Sequence, residues 1–255
     1  MIRGLYTSAS GLMAEMAKTD VISNNLANIN TSGFKKDRAI FRAFPEMNIL
    51  RIDDPVVATP KDKIDTRPFI GVLGTGAMVD EISTDFSRGT TENTSNPLDL
   101  ALAGEGFFEV QTPAGIRYTR DGSFTRNEQG YLVTSDGYYV MGQNGPIQLP
   151  DGRDISINSR GEIFSGGNFV DRLRVVSFAN LRQLLKEGDN LYSTNQQPVL
   201  SNSEVIQGAL EKSNVNPISE MVDLISAFRA YEANQKVVKA NDDTLSRAVN
   251  DIARL

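Results

Sequence analysis

Three acidic side chains, Asp99, Glu105 and Glu109, fall close together in a strand-like stretch and are the nearest approach in this chain to reactive chemistry. Two carboxylates facing each other across a cleft can cleave a glycosidic bond as acid and base, so a peptidoglycan-acting enzyme is one reading of them. Their spacing sets no two of them across a cleft, and acids on the open face of a strand are the plainer expectation. Gly74-Thr75-Gly76 has the G-x-G form of a phosphate-binding turn, but a strand-like run follows it where a dinucleotide fingerprint needs a helix. Phe107, Phe108, Tyr118, Phe124, Tyr131, Tyr138 and Tyr139 could form a stacking platform in a carbohydrate-binding protein. Alternation along strands assigns most of them to a core instead, and the absence of Trp weighs against sugar binding.

The chain has no His and no Cys. That removes Ser-His and Cys-His nucleophile pairs, thiolate metal sites and disulfides. No catalytic, cofactor-binding or metal-ligating residue is assigned, and the expectation is a protein that is not an enzyme and carries no cofactor. A net charge of -6 argues against a nucleic-acid binder. The mildly basic stretch Lys35, Lys36, Arg38, Arg42 and Arg51 reads as a solvated arm. The opening residues lack the apolar segment of a cleavable signal, and no stretch reaches the roughly 20 apolar residues that cross a bilayer. No direct membrane insertion is expected, and any export must use another route.

Positioning elements come in two kinds. Both ends read as amphipathic helices and the middle reads as β-structure, an α+β chain with a central all-β domain. A first helix is predicted from about Gly4 to about Ile29, with a stripe at Leu5, Ala9, Leu12, Met16, Thr19, Ser23 and Leu26. It closes in an Asn-rich passage where Asn28, Asn30 and Gly33 can take a left-handed backbone. The second runs from Ile218 to Leu255 without Gly or Pro, capped by Asn216 with Pro217 in its first turn. Its stripe is Leu224, Phe228, Tyr231, Gln235, Val238, Asp242, Leu245, Val249 and Ile252, steps of four and three that suit a coiled-coil seam. The two helices are therefore expected to pair as a coiled coil and to meet copies of the chain. Asn24, Asn25 and Asn28 are candidates for fixing the register of packed helices.

Between the helices, residues 34–75 carry four prolines and read as an extended arm with short strands. From residue 76 to 209, Gly-containing turn signals recur every seven to nine residues, from Ala114-Gly115 through Asp151-Gly152 to Arg160-Gly161, separated by short aromatic and β-branched runs. That is the pattern of a β-meander. A short helix is expected at Asn180–Glu187. The helical core would then comprise residues 1–33 and 210–255.

Three separated passages carry a resemblance. NNLANINTSGFK at Asn24–Lys35, the run from Asn96 to Gly142, and LEKSNVNPISEMVDLISAFRAYEANQKVV at Leu210–Val238 are similar, in that order, to the bacterial flagellar rod and hook protein family. The resemblance implies paired terminal helices at the inner radius of a helical tube and a β-domain outside them. It implies a structural subunit of the basal-body rod, which crosses the periplasm and transmits torque from motor to hook. Partners would be copies of itself, other rod and hook subunits, and the type III export apparatus, which takes such chains unprocessed. Met141–Ile163 resembles the proximal-rod pattern, whereas the arm from Ala43 to Gly74 resembles an insertion of distal-rod proteins; the proximal type is favoured. There is no room for the extra outer domain of a hook subunit. The expected interface residues are Leu5, Leu12, Met16, Asn24, Asn25, Leu26, Asn28, Leu224, Phe228, Tyr231, Gln235, Val238, Leu245, Val249 and Ile252.

Overall fold

The computed structural model describes residues 2–51, 57–58, 63–64, 69–150 and 154–252. Two helices bracket the β-structure, α1 at Ile2–Ala27 and α2 at Pro217–Ile252. The start of α2 follows the sequence expectation: Asn216 Oδ1 accepts from the amides of Ile218 at 3.0 Å and Ser219 at 3.2 Å, and Pro217 opens the helix without needing its missing N–H. The end of α1 differs in detail. Asn28 Nδ2 donates back to Asn24 O at 2.9 Å, and among the closing residues only Gly33 has positive φ, at 67°. The Asn28 side-chain amide satisfies the helix end directly, and neither Asn28 nor Asn30 goes left-handed.

The chain divides into two compact units, Met1–Ser23, Arg38–Ser83 and Met221–Leu255 in one, Asn24–Asp37 and Thr84–Glu220 in the other. In the first unit, Gly11 of α1 lies against Asn234 of α2 so closely that a Cβ there would stand 2.9 Å from the amide nitrogen. Gly4 meets Asn241 in the same way, at 3.5 Å. Residue numbers rise along α1 as they fall along α2, so the helices pass antiparallel at these points. The rest of this unit is a two-stranded ribbon. Strands β1 (Asp37–Ala43) and β6 (Ala77–Thr84) pair, then β2 (Met47–Leu50) with β5 (Phe69–Leu73), then β3 (Val57–Ala58) with β4 (Lys63–Ile64). Its base is tied to α1: Thr7 Oγ1 donates to Thr75 O at 3.1 Å and Ala77 N donates to Ser10 Oγ at 3.3 Å. The expected arm is thus a paired ribbon where it is described; its other residues, like the Asp151-Gly152 turn, lie outside the described residues.

The second unit is built on β9 (Phe107–Thr112), the centre of the largest sheet, which pairs along its length with β10 (Gly115–Thr119). On its other edge β9 takes β13 (Tyr139–Val140) at Val110 and Gln111, and β17 (Val175–Ser177) at Phe107 and Phe108. Hairpins extend the sheet, as the recurring glycines predicted: Gly115, Gly130, Gly137, Gly145 and Gly161 all have positive φ. Leu100, Phe108, Val110, Phe124, Leu132 and Ile163 form a core with at most 1 % exposure. A second cluster packs Phe107, Tyr118, Phe178 and Tyr192 edge-on or tilted.

One predicted element is corrected here. Asn180–Glu187 is not a helix but a single 3₁₀ turn at Leu181–Gln183, capped by Asn180, followed by a strand at Leu185–Glu187. Leu184 is buried, and a turn with φ of 53° and 55° at Asp189 and Asn190 folds the strand back onto Leu191–Ser193. Pairing across that hairpin outweighs a helix propensity that eight residues could not sustain.

Candidate assembly interface

The acidic residues are not an acid and base pair. Glu109 is buried and ion-paired with Arg174 Nε at 3.0 Å, and Asp99 is buried and accepts from Asn96 Nδ2 at 2.8 Å. Only Glu105 is exposed. The surface expectation therefore fails for Asp99 and Glu109, because their partners make burial tolerable. Burial holds the Glu109 carboxyl above its usual range, with Arg174 pulling the other way. Among the described residues no group of His, Cys, Asp or Glu could hold a metal ion.

In the basic stretch, Arg38, Arg42 and Arg51 are exposed as expected, but one residue is not. Lys35 is not solvated: its side chain has 0 % exposure and pairs with Glu211 Oε1 at 2.5 Å. Its neighbour in the network is Arg120, whose Nε lies 3.6 Å from Glu211 Oε2. Nothing in local sequence marks these three residues, since their partners are far apart along the chain.

The helices supply the remaining candidates. On α1, Leu5, Leu12, Leu26 and Asn28 are half-buried, while Met16 and Asn24 are exposed. Asn25 is 1 % exposed, and its side chain is committed within the chain: Nδ2 donates to Asp37 O at 2.8 Å and to Glu220 Oε2 at 3.2 Å, and Oδ1 accepts from Asp37 N. Its amide thus joins the end of α1 to Asp37 and to the first turn of α2 within one molecule.

On α2, Leu224, Tyr231, Val238 and Leu245 are half-buried, while Phe228, Gln235 and Val249 face solvent. The side chain of Ile252 lies outside the described residues. Between the half-buried positions stand Ala227, with 0 % exposure, and Asn234 and Asn241, which meet Gly11 and Gly4. The inward stripe of α2 is thus turned by one residue at every second position from the stripe read in the sequence. Asn234 and Asn241 fit there because Gly11 and Gly4 of α1 carry no Cβ to displace them.

That turn leaves large apolar residues outside. Met221, Val222, Ile225 and Phe228 lie on one face of α2, and Tyr6, Met13 and Met16 lie outward on α1. Phe228 is 50 % exposed and Met13 73 %. The ribbon adds Phe69, Ile70 and Val72 on β5. Single exposed apolar residues are ordinary, but contiguous sets on neighbouring elements mark surfaces that a partner covers. A two-stranded ribbon with apolar residues on its surface is also marginal in water by itself.

Comparison with known proteins agrees with an assembly role. Residues 5–35 match the family described as flagella basal body rod protein, residues 101–165 the flagellar hook protein FlgE/F/G D1 domain, and residues 206–251 the flagellar basal body rod FlgEFG protein C-terminal region. The flagellar hook-basal body complex protein FlhO of Bacillus subtilis is 33 % identical, with 100 % of both chains covered. The basal-body rod protein FlgG of Buchnera aphidicola (subsp. Schizaphis graminum) is 37 % identical over 97 % of this chain and 98 % of its own. FlgF of Caulobacter vibrioides, also a basal-body rod protein, is 35 % identical over 100 % of this chain and 98 % of its own. With three family regions in the expected order and rod proteins matched from end to end, the chain belongs to the bacterial flagellar rod and hook family, as a structural rod protein and not an enzyme.

Proposed function

We propose that this subunit builds the flagellar rod by packing the outward faces of α1 and α2 against those of neighbouring copies and of other rod and hook subunits. Within each subunit the helices form an antiparallel coiled coil. The seven-residue spacing of the Gly4–Asn241 and Gly11–Asn234 contacts supports that reading. The observation that carries the proposal is the exposed row Met221, Val222, Ile225 and Phe228 on α2, together with the exposed Tyr6, Met13 and Met16 on α1. At about 25 cal/mol per Å² of apolar surface, covering such faces contributes several kcal/mol gross per contact, of which ordering entropy offsets a large share.

The rod so formed is a tubular shaft that carries torque from motor to hook across the periplasmic space. The subunit reaches it through the flagellar type III apparatus. Among rod subunits we favour the proximal type, on the pattern of Met141–Ile163, over a distal-rod placement. Of the interface residues expected from sequence, Met16, Phe228 and Val249 remain candidates for contacts between copies; Leu5, Leu12, Leu26, Leu224, Tyr231, Val238 and Leu245 serve the pairing within the subunit first.

Phe228→Asp tests the proposal. It should abolish incorporation into basal bodies while the near-ultraviolet signal of Tyr118 and Tyr192 in the second unit stays unchanged. Normal incorporation of that variant would remove the α2 face from the interface.

A further inference from the structure

We propose that Glu211 is a latch that lets the second unit close over Lys35 and Arg120 only once the late strand carrying this carboxylate is in place. Two cations are buried there, Lys35 from the passage after α1 and Arg120 from the end of β10, with side-chain exposures of 0 % and 3 %. One carboxylate, itself 2 % exposed, stands between them. Glu211 receives Lys35 Nζ at 2.5 Å and the Gly89 amide at 3.0 Å on Oε1, and faces Arg120 Nε at 3.6 Å with Oε2. The backbone repeats the connection, since Gly33 N donates to Glu211 O at 2.7 Å. Lys36 N donates to Asn214 Oδ1 at 2.8 Å.

Other groups around the cations do not replace that carboxylate. Lys35 Nζ donates to Ser87 O and Arg120 Nη2 to Gly104 O, which are neutral acceptors. Asp85 lies within electrostatic range of Lys35, and Arg88, Glu105 and Tyr192 within range of Arg120; Lys186, beside Phe34, is paired with Asp37. Without Glu211 the fold would bury two mutually repelling cations with only Asp85 and Glu105, the weaker of their acidic influences, nearby. Buried charges stripped of their partner are strongly destabilising.

Lys35 and Glu211 are 176 residues apart. A chain lacking the strand that carries Glu211 therefore leaves both cations without their carboxylate, however much of the preceding sequence is present. The β-meander between them, though rich in local hairpins, is kept from closing by the cost of burying Lys35 and Arg120 until the Ala209–Glu211 strand arrives. This inference does not depend on the rod assignment.

The test uses full-length purified protein unfolded in urea and followed by the near-ultraviolet signal of Tyr118 and Tyr192. At pH 7.5, Glu211→Gln should lower the folding equilibrium constant of the second unit by about a hundredfold or more. Burial lowers the Lys35 pKa from 10.5, so the folded unit binds fewer protons and its stability rises with pH until the unfolded lysine also titrates. Loss of the carboxylate steepens that rise, so Glu211→Gln should recover stability towards pH 10 more than the parent does. Lys35→Met combined with Glu211→Gln should restore much of the loss and remove the extra slope. The proposal is overturned if Glu211→Gln stays within about twofold of the parent, or if the double variant is no more stable than Glu211→Gln. Should Glu211→Gln fail to fold at pH 7.5, a folded double variant supports the latch and an unfolded one refutes it.

Discussion

Phe108 and Val110 of the second unit have 0 % exposure, whereas Tyr6 and Met13 of the first retain 69 % and 73 %. Each set is apolar, so composition does not separate them; architecture does. In the second unit the strands around β9 and their hairpins cover the core from several sides, and even its charges are paired inside. The first unit has one helix pair and one ribbon, too few layers to cover the apolar surface its residues carry. A subunit that must be stable before assembly and adhesive during it can divide the two tasks in this way.

The sharpest way to break that contrast is Phe108→Ala. Truncating a fully buried ring that packs edge-on against Phe124 at 5.1 Å should destabilise the second unit by about 3–5 kcal/mol. Calorimetry should then show that unit melting early while the helical signal of the first changes less. A single shifted transition would mean that the two units do not melt independently.

Gly11→Leu attacks the first unit from inside. Leucine raises helix propensity by nearly 1 kcal/mol, but its side chain must enter the space of Asn234, and overpacking should leave a net loss of about 1–3 kcal/mol. Far-ultraviolet melting would record it. Gly11→Ala should be milder, because Asn234 can turn its amide aside from one methyl. Equal effects from both substitutions would show that the close approach at Gly11 does not control the pairing.

The smallest effect concerns pH. Because burial raises the Glu109 pKa above 4.5, the folded second unit holds that proton longer than the unfolded chain. The contribution is fully present below 4.5 and is lost as pH rises through the folded value. Going from pH 7 to pH 5, the parent should therefore gain stability relative to Glu109→Gln. Identical pH dependence in the two proteins would show that Arg174 fully offsets the burial of Glu109.

Local sequence was a reliable guide wherever the deciding interaction is local. Asn216 and Pro217 start α2 as expected because a cap needs only the next few residues. The hairpin glycines are legible because positive φ is a property of a single residue. Along the α2 stripe, Leu224, Tyr231, Val238 and Leu245 are half-buried within the subunit, whereas Phe228, Gln235 and Val249 are exposed. Hydrophobicity alone favoured Phe228 over Ala227; at Asn234 and Asn241 the missing information was that α1 presents glycines there. Gly4 and Gly11, seven residues apart, were the available signal.

By itself, then, the sequence determined the helical ends, the β-rich middle, the absence of His and Cys chemistry, and the family through three ordered motifs. The tertiary structure alone decided which side of each helix is left uncovered, and that Lys35, Asp99 and Glu109 are buried instead of solvated. Local conformation follows from neighbours a few bonds away. The burial of a charge depends on whether a partner such as Glu211, 176 residues along the chain from Lys35, is carried to it by the fold.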